Sequence, residues 1–231
     1  MALVLYYEGM VASALASQAE NRSLNELLRP EPLAGGLEPE QRVVFCGIAW
    51  ERYLDFDKKL GDDRPEPRLY YLRGEIEIVT TSNEHERIKK WLGGLIEIYF
   101  DKSGADIMPR GQATIRDALK EAGAEPDESW CVGREREYPD LVLEIALTSG
   151  GISKLEIYKH FQVPEVWFWR ADKLEIFALS EAGGYERVQK SHLLTELDIA
   201  LLERCVSIRS WQKARQAFRN GLSKADPTEK H

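Results

Sequence analysis

Cysteine is scarce in this chain. Cys46, Cys131 and Cys205 are far apart and odd in number, so they suggest neither a metal knuckle nor a disulfide framework. A reducing cytoplasm is the simple expectation. No apolar run is long enough to span a bilayer, which argues against a transmembrane helix or membrane partner. Residues Met1 to Ala19 are mildly apolar but contain Glu8 and lack both an early positive charge and a compact apolar block, so a secretory signal is disfavoured. Also missing are a Gly-rich phosphate loop followed by Lys, a dinucleotide fingerprint, a nucleophile elbow around Ser and the spaced His pair of zinc proteases. Gly93-Gly94 and Gly150-Gly151 do not have phosphate-loop spacing. An excess of positive charge is lacking too, because the net charge is -8. Nonspecific nucleic-acid affinity rests largely on neutralising phosphates, so this acidity argues against a strong nonspecific binder. It does not exclude an enzyme whose carboxylates hold a metal ion.

What the chain does have is a globular composition. Apolar residues make up 43% and charged residues 30%, with six Trp, nine Tyr and seven Phe to build a core. The length suits one α/β domain. Residues 1–41 read as a peripheral segment holding a short helix and a Pro/Gly-rich loop, 42–222 as the domain, and 223–231 as a polar tail. A short helix is expected over Ile48–Leu54, then a loop from Asp55 to Pro67. Leu69–Leu72 and Glu75–Ile78 flank Arg73-Gly74 as a hairpin, the second run having one wet face. Ser82-Asn83 offers caps to a helix whose Ile88, Trp91, Leu92, Leu95, Ile96 and Tyr99 recur at helical spacing. Further strands are expected over Ile107–Ile115, beyond Glu125, over Leu141–Leu147 and over Val166–Trp169. A helix is expected over Ser153–Phe161, a hairpin through Gly183-Gly184, and one C-terminal helix from Asp198 toward Gly221.

Glu144 stands alone in Leu141–Leu147, the most apolar run of the chain. A carboxylate in a buried central strand is costly unless it is ion-paired or bound to a cation. A salt bridge and a metal site both fit. Two Pro-Asp pairs, Pro126-Asp127 and Pro139-Asp140, precede strands, where turn chemistry also favours them. Asp140 and Glu144 would share a strand face but lie roughly 13 Å apart, too far for one ion. If the two strands pair antiparallel, Asp127 falls opposite Glu144, which makes Asp127 the better second ligand. Two residues past Glu144 stands Ala146 rather than Lys. The nearest ammonium that could lean over the strand is Lys154, in the first turn of the next helix, unless it is simply solvated. Glu84-His85-Glu86 opens the earlier helix. Acidic residues there suit the helix dipole, or His85 or Glu86 points into a cleft.

Several of these segments together resemble the Uma-type putative restriction endonuclease family of the PD-(D/E)XK nuclease superfamily. The most specific are Pro139–Ile145, Thr148-Ser149, Lys154-Leu155, Ile157-Tyr158 and Val163–Trp167. Trp50-Glu51, Tyr53, Gly74–Ile78, Glu84–Glu86 and Glu125–Glu128 agree in the same order, so the likeness covers about Gly47 to Leu202. It implies an α/β fold, a restriction-endonuclease-like mixed β-sheet flanked by helices. It places metal ligands at Asp127 and Glu144, the displaced Lys at Lys154, and the helix carboxylate at Glu86, with Glu75 and Glu77 behind it. The chain departs from the family at Gly150-Gly151-Ile152-Ser153, where members often carry Ser or Pro and then Asp.

The resulting expectation is an endonuclease in which Asp127 and Glu144 hold Mg²⁺ or Mn²⁺, Lys154 steadies the transition state, and Glu86 or His85 assists the water. Its substrate is nucleic acid, DNA by preference, and cutting both strands favours a homodimer. The alternative is a catalytically silent relative that binds nucleic acid or a protein. A third reading makes Glu144 an ion-paired structural residue in a closed core.

Overall fold

The computed structural model describes residues 41–61, 66–147 and 151–224. The helix and loop expected within residues 1–40 lie outside the described residues, as do 225–231. In chain order the elements are β1 (Gln41–Cys46), α1 (Trp50–Leu60), β2 (Arg68–Leu72), β3 (Glu75–Thr80), α2 (Asn83–Ser103), β4 (Ile107–Pro109), β5 (Ile115–Asp117), β6 (Ala122–Ala124), β7 (Glu128–Val132), β8 (Leu141–Ile145), α3 (Lys154–His160), β9 (Glu165–Arg170), β10 (Lys173–Leu179), β11 (Tyr185–Val188), α4 (Ile199–Val206) and α5 (Trp211–Lys224).

Among the described residues they make two sheets and five helices. One sheet has six strands in the order β11-β10-β9-β8-β7-β4, and the other has five in the order β1-β3-β2-β6-β5. The six-stranded sheet is mixed, with β8 and β9 parallel and β7 and β8 antiparallel. This is the restriction-endonuclease-like α/β architecture. The most apolar run of the sequence, β8, is buried along its whole length and lies inside the sheet, as its composition requires. Leu141, Leu143 and Ile145 face a core formed with α2, α4 and α5. Val142 faces a second core shared with α3 and the five-stranded sheet, through Tyr70, Ile115, Ala124, Ile157 and Tyr158. Glu144 has the same parity as Val142 and joins that face.

The β2–β3 hairpin forms as its turn residues dictate. Arg73 and Gly74 both take positive φ, 44° and 91°, which a two-residue loop of this hand needs. Alternation along β2 then sorts its side chains. Leu69 and Tyr71 are buried, and Tyr71 stacks on Tyr53 of α1 at 4.8 Å between ring centroids. Arg68 and Tyr70 point to the other face. Ser82 caps α2 by accepting the His85 amide at 3.2 Å.

Five local expectations need correction. The helix expected over Ile48–Leu54 begins at Trp50 and continues to Leu60 through residues expected to form a loop, helped by the Lys59–Asp55 pair at 2.7 Å. The stretch Ile107–Ile115 is not one strand, since β4 and β5 belong to different sheets with a turn between them. The C-terminal helix is broken over 207–210, giving α4 and α5, where Trp91 Nε1 donates to the Ile208 carbonyl at 3.0 Å. Two strands were not foreseen, β1 and β6, and the second is only Ala-Gly-Ala, with no pattern to read. Finally, β3 does not have a wet face at Glu77, which is fully buried.

Candidate active site

The site lies where the two sheets and α3 meet. The β7–β8 register pairs Glu128 with Leu143, and one step further it sets Asp127 beside Glu144. Paired residues of adjacent strands point to the same face, so the two carboxylates emerge together. Both are completely buried. The Ile145 amide donates to Asp127 Oδ2 at 2.6 Å, which ties the Asp to the strand that carries Glu144.

Each carboxylate has its own set of partners. Around Glu144, Lys154 Nζ lies 2.7 Å from Oε2, Tyr70 Oη lies 3.0 Å from the same oxygen, and the Tyr158 hydroxyl donates to Oε1. Tyr70 Oη is also 2.9 Å from the Glu125 carbonyl, so its single proton is shared between two acceptors. The Lys154 ammonium sits 3.8 Å over the Tyr70 ring, a cation–π contact away from solvent. Around Asp127, Oδ1 is 2.9 Å from His85 Nε2 and 3.0 Å from Arg68 Nε. The Arg68 contact is ionic rather than an aligned hydrogen bond. Arg68 is held from behind by the Pro126 carbonyl at 3.1 Å. With its amide oriented to suit its neighbours, Gln112 also accepts from Arg68 Nη2 at 2.6 Å.

These surroundings push the two carboxyl groups apart in acidity. Burial opposes ionisation of Asp127, but Arg68 and His85 outweigh it and hold its pKa below the ordinary carboxylate range. Burial dominates at Glu144, and the neighbouring Asp127 charge adds to it. Together they hold its pKa above the ordinary value although Lys154 pulls the other way. A carboxyl pair split in this way often marks a site. Burial, then the Glu144 charge, keeps both Tyr70 and Tyr158 protonated well above the usual phenol range, so their hydroxyls remain donors.

The candidate site residues named from the sequence all lie among the described residues. Asp127, Glu144, Lys154 and His85 come together. Glu86 is 39% exposed and bound to Lys89 at 2.6 Å; its link to Asp127 runs through Arg68, 3.6 Å away. Asp140 accepts the Val132 amide at 2.9 Å and pairs with Arg136 at 3.1 Å, steadying the start of β8. Glu75 is exposed. Glu77 is buried against Arg42 and the Ile152 amide. Sequence reasoning missed Arg68, Tyr70 and Tyr158. A charged residue opening an otherwise apolar strand was the available signal for Arg68. The spacing of four between Lys154 and Tyr158, one face of a helix, was the signal for the tyrosine.

The donor set suits a hard divalent cation, since it offers two carboxylates side by side. Among the described residues no group of three or more His, Cys, Asp or Glu converges to hold a metal. Asp127 and Glu144 are the residues that would hold such an ion, with water and phosphate oxygens completing its shell.

No curated protein matches the chain. The family profile Uma2, described as "Putative restriction endonuclease", matches residues 50–209, well over half of the sequence and the whole of the site. The chain therefore belongs to the Uma2 family of putative restriction endonucleases.

Proposed function

We propose that the protein is a metal-dependent endonuclease that hydrolyses phosphodiester bonds in DNA, with Asp127 and Glu144 as the protein ligands of Mg²⁺ or Mn²⁺. One observation carries this reading. Two fully buried carboxylates from adjacent strands share a face, with the Lys154 ammonium 2.7 Å from one of them. When bound, such an ion supplies charge to the phosphoryl oxygens and acidifies a water. The chain's own groups do the rest. Lys154 offers a positive charge to a phosphate oxygen as negative charge develops there. Tyr70 and Tyr158 fix the orientation of Glu144, and His85 fixes that of Asp127. Glu86, at the more exposed end of the cluster, or His85 would assist the water. Two copies acting together would cut both strands of a duplex.

The test is cleavage of supercoiled plasmid with Mn²⁺. Wild type is expected to nick and linearise it, while Glu144→Ala and Asp127→Ala lose at least about a thousandfold in rate. Undiminished metal-dependent cutting by Glu144→Ala, from protein free of contaminating nuclease, would reject the assignment.

A second reading rests on charge. Asp127 and Glu144 are balanced by Arg68 and Lys154, so the cluster is electrically satisfied without a metal. On that reading the chain is a silent binding module. Calorimetric titration with Mn²⁺ separates the two, because the silent module takes up none at millimolar concentration. The Lys154–Glu144 contact itself is expected under both.

A further inference from the structure

We infer that Glu77 is a positioning residue for Lys154, acting through the turn that leads into α3. The inference rests on the nuclease reading for its catalytic consequence, but its structural content stands separately.

Lys154 is the first residue of α3, and its ammonium must be held against Glu144 by whatever fixes the start of that helix. The preceding Ser153 makes no side-chain cap to α3. The helix is only one to two turns long, so it cannot fix its own position. What anchors its entry is a contact from the five-stranded sheet. Glu77 Oε2 accepts the Ile152 amide at 2.9 Å, two residues before Lys154. Glu77 is completely buried, and Arg42 of β1 lies 3.1 Å from its other oxygen. A bond from a buried carboxylate to a backbone amide is strong and directional. Ile152 is itself buried in the second core, so the turn is fixed by packing as well as by the amide.

Gly151 completes the device. It takes φ +90°, and a Cβ there would lie 2.5 Å from Glu77 Oε1 and 2.6 Å from Arg42 Nη1. Only glycine lets the turn settle onto this ion pair. The sheet register explains why Glu77 is the residue that reaches. Glu77 pairs directly with Tyr70, whose ring supports the Lys154 ammonium. One cross-strand pair thus touches the α3 entry twice, Glu77 at the backbone and Tyr70 at the side chain. Gly151 and Ile152, which stand where this chain departs from its family's pattern, are the residues that the clamp receives.

The experiment uses the full chain and three variants, Glu77→Ala, Glu77→Gln and Gly151→Ala. Exchange of the Ile152 amide is followed by NMR, and modification of Lys154 by an amine-reactive acylating agent is mapped by mass spectrometry. Cleavage of a duplex with Mn²⁺ gives kcat and KM. In Glu77→Ala the Ile152 amide is expected to exchange at least about tenfold faster, with Lys154 modified more rapidly. The kcat is expected to drop about a hundredfold, since small misplacements cost that much, while KM stays within about threefold. Glu77→Gln restores most of kcat, because its amide oxygen can accept the same N–H. Gly151→Ala reproduces the Glu77→Ala pattern with the carboxylate present, and it decides the matter if Glu77→Ala does not fold. A folded Glu77→Ala or Gly151→Ala protein with wild-type amide exchange and Lys154 reactivity overturns the clamp. Raised exchange and reactivity with unchanged kcat overturns the positioning role. If wild type cuts nothing, the nuclease reading fails, and the exchange and modification measurements still decide whether Glu77 holds the turn.

Discussion

Two buried glutamates of this protein face opposite physical situations. Glu165 is only 1% exposed, yet its neighbours are neutral donors. Trp167 Nε1 lies 2.9 Å from Oε2 and Ser191 Oγ 2.8 Å, while the His192 and Leu193 amides donate to Oε1. Each oxygen is satisfied by fixed groups, which is what a structural carboxylate looks like. Glu144 is held instead by two hydroxyls and the Lys154 ammonium, so a charged partner takes part in its balance. Glu165→Ala strands three donors, the Leu193 amide keeping Ser191 Oγ at 3.1 Å, and is expected to cost about 3–5 kcal/mol in a thermal unfolding measurement. A loss below about 1 kcal/mol would mean that water replaces the carboxylate. Tyr158→Phe removes one bond to Glu144 and leaves no buried donor behind. It should lower the urea-unfolding stability by about 1–2 kcal/mol while Mn²⁺ uptake persists. An unchanged midpoint would show that the hydroxyl contributes nothing to holding Glu144.

At the scale of elements, the site depends on how α2 is seated, because His85 in its first turn reaches Asp127. The helix carries Gly93-Gly94 in its interior, where Ala would favour the helix by about 1 kcal/mol. The reason for Gly94 is the approach of α5. A Cβ at Gly94 would stand 2.7 Å from the Trp211 ring, which is rigid and edge-on to Trp91 at 5.3 Å. Gly94→Ala therefore gains helix propensity but overpacks an aromatic contact. The expected net effect is destabilisation of about 1–2 kcal/mol, seen as a lowered unfolding temperature. A rise would show that α5 shifts without cost. The strand β2 illustrates the same economy of design. Its two-residue period sends Leu69 and Tyr71 into the packing against α1 while Arg68 and Tyr70 serve the site.

For the whole molecule, acidity and a nucleic-acid substrate must be reconciled. With a net charge of -8 the chain repels a polyanion at long range. Binding must then rest on few local contacts. On the proposed function, the Glu144→Gln protein should bind duplex DNA weakly, with a salt slope shallower than about -4, since each neutralised phosphate contributes about -0.9. Fluorescence anisotropy across a salt series checks this. A steep slope would reveal a concentrated basic face that outweighs the overall charge.

The path from residues to site was legible in part, and the boundary has a physical basis. Local chemistry is written in the sequence. The lone Glu144 in an apolar run, the Arg73-Gly74 turn, the Ser82 cap and the α2 stripe are each decided by neighbours a few residues away, and each appears where it was expected. The family likeness along Pro139–Trp167 added the expectation for Lys154 that spacing alone left open. Contacts between distant segments are not so written. Nothing local marks Arg68, 59 residues before Asp127, as its ion-pair partner, nor does an alternating strand announce that Glu77 turns inward. The register of β7 on β8, the meeting of two sheets and the capture of the Ile152 amide are set by how separate apolar faces exclude water together. The sequence by itself determined the local elements and singled out Asp127, Glu144, Lys154 and His85 as candidates; only the tertiary structure decided that they share a face with Arg68, Tyr70 and Tyr158, because burial and pairing across the chain depend on the packed whole.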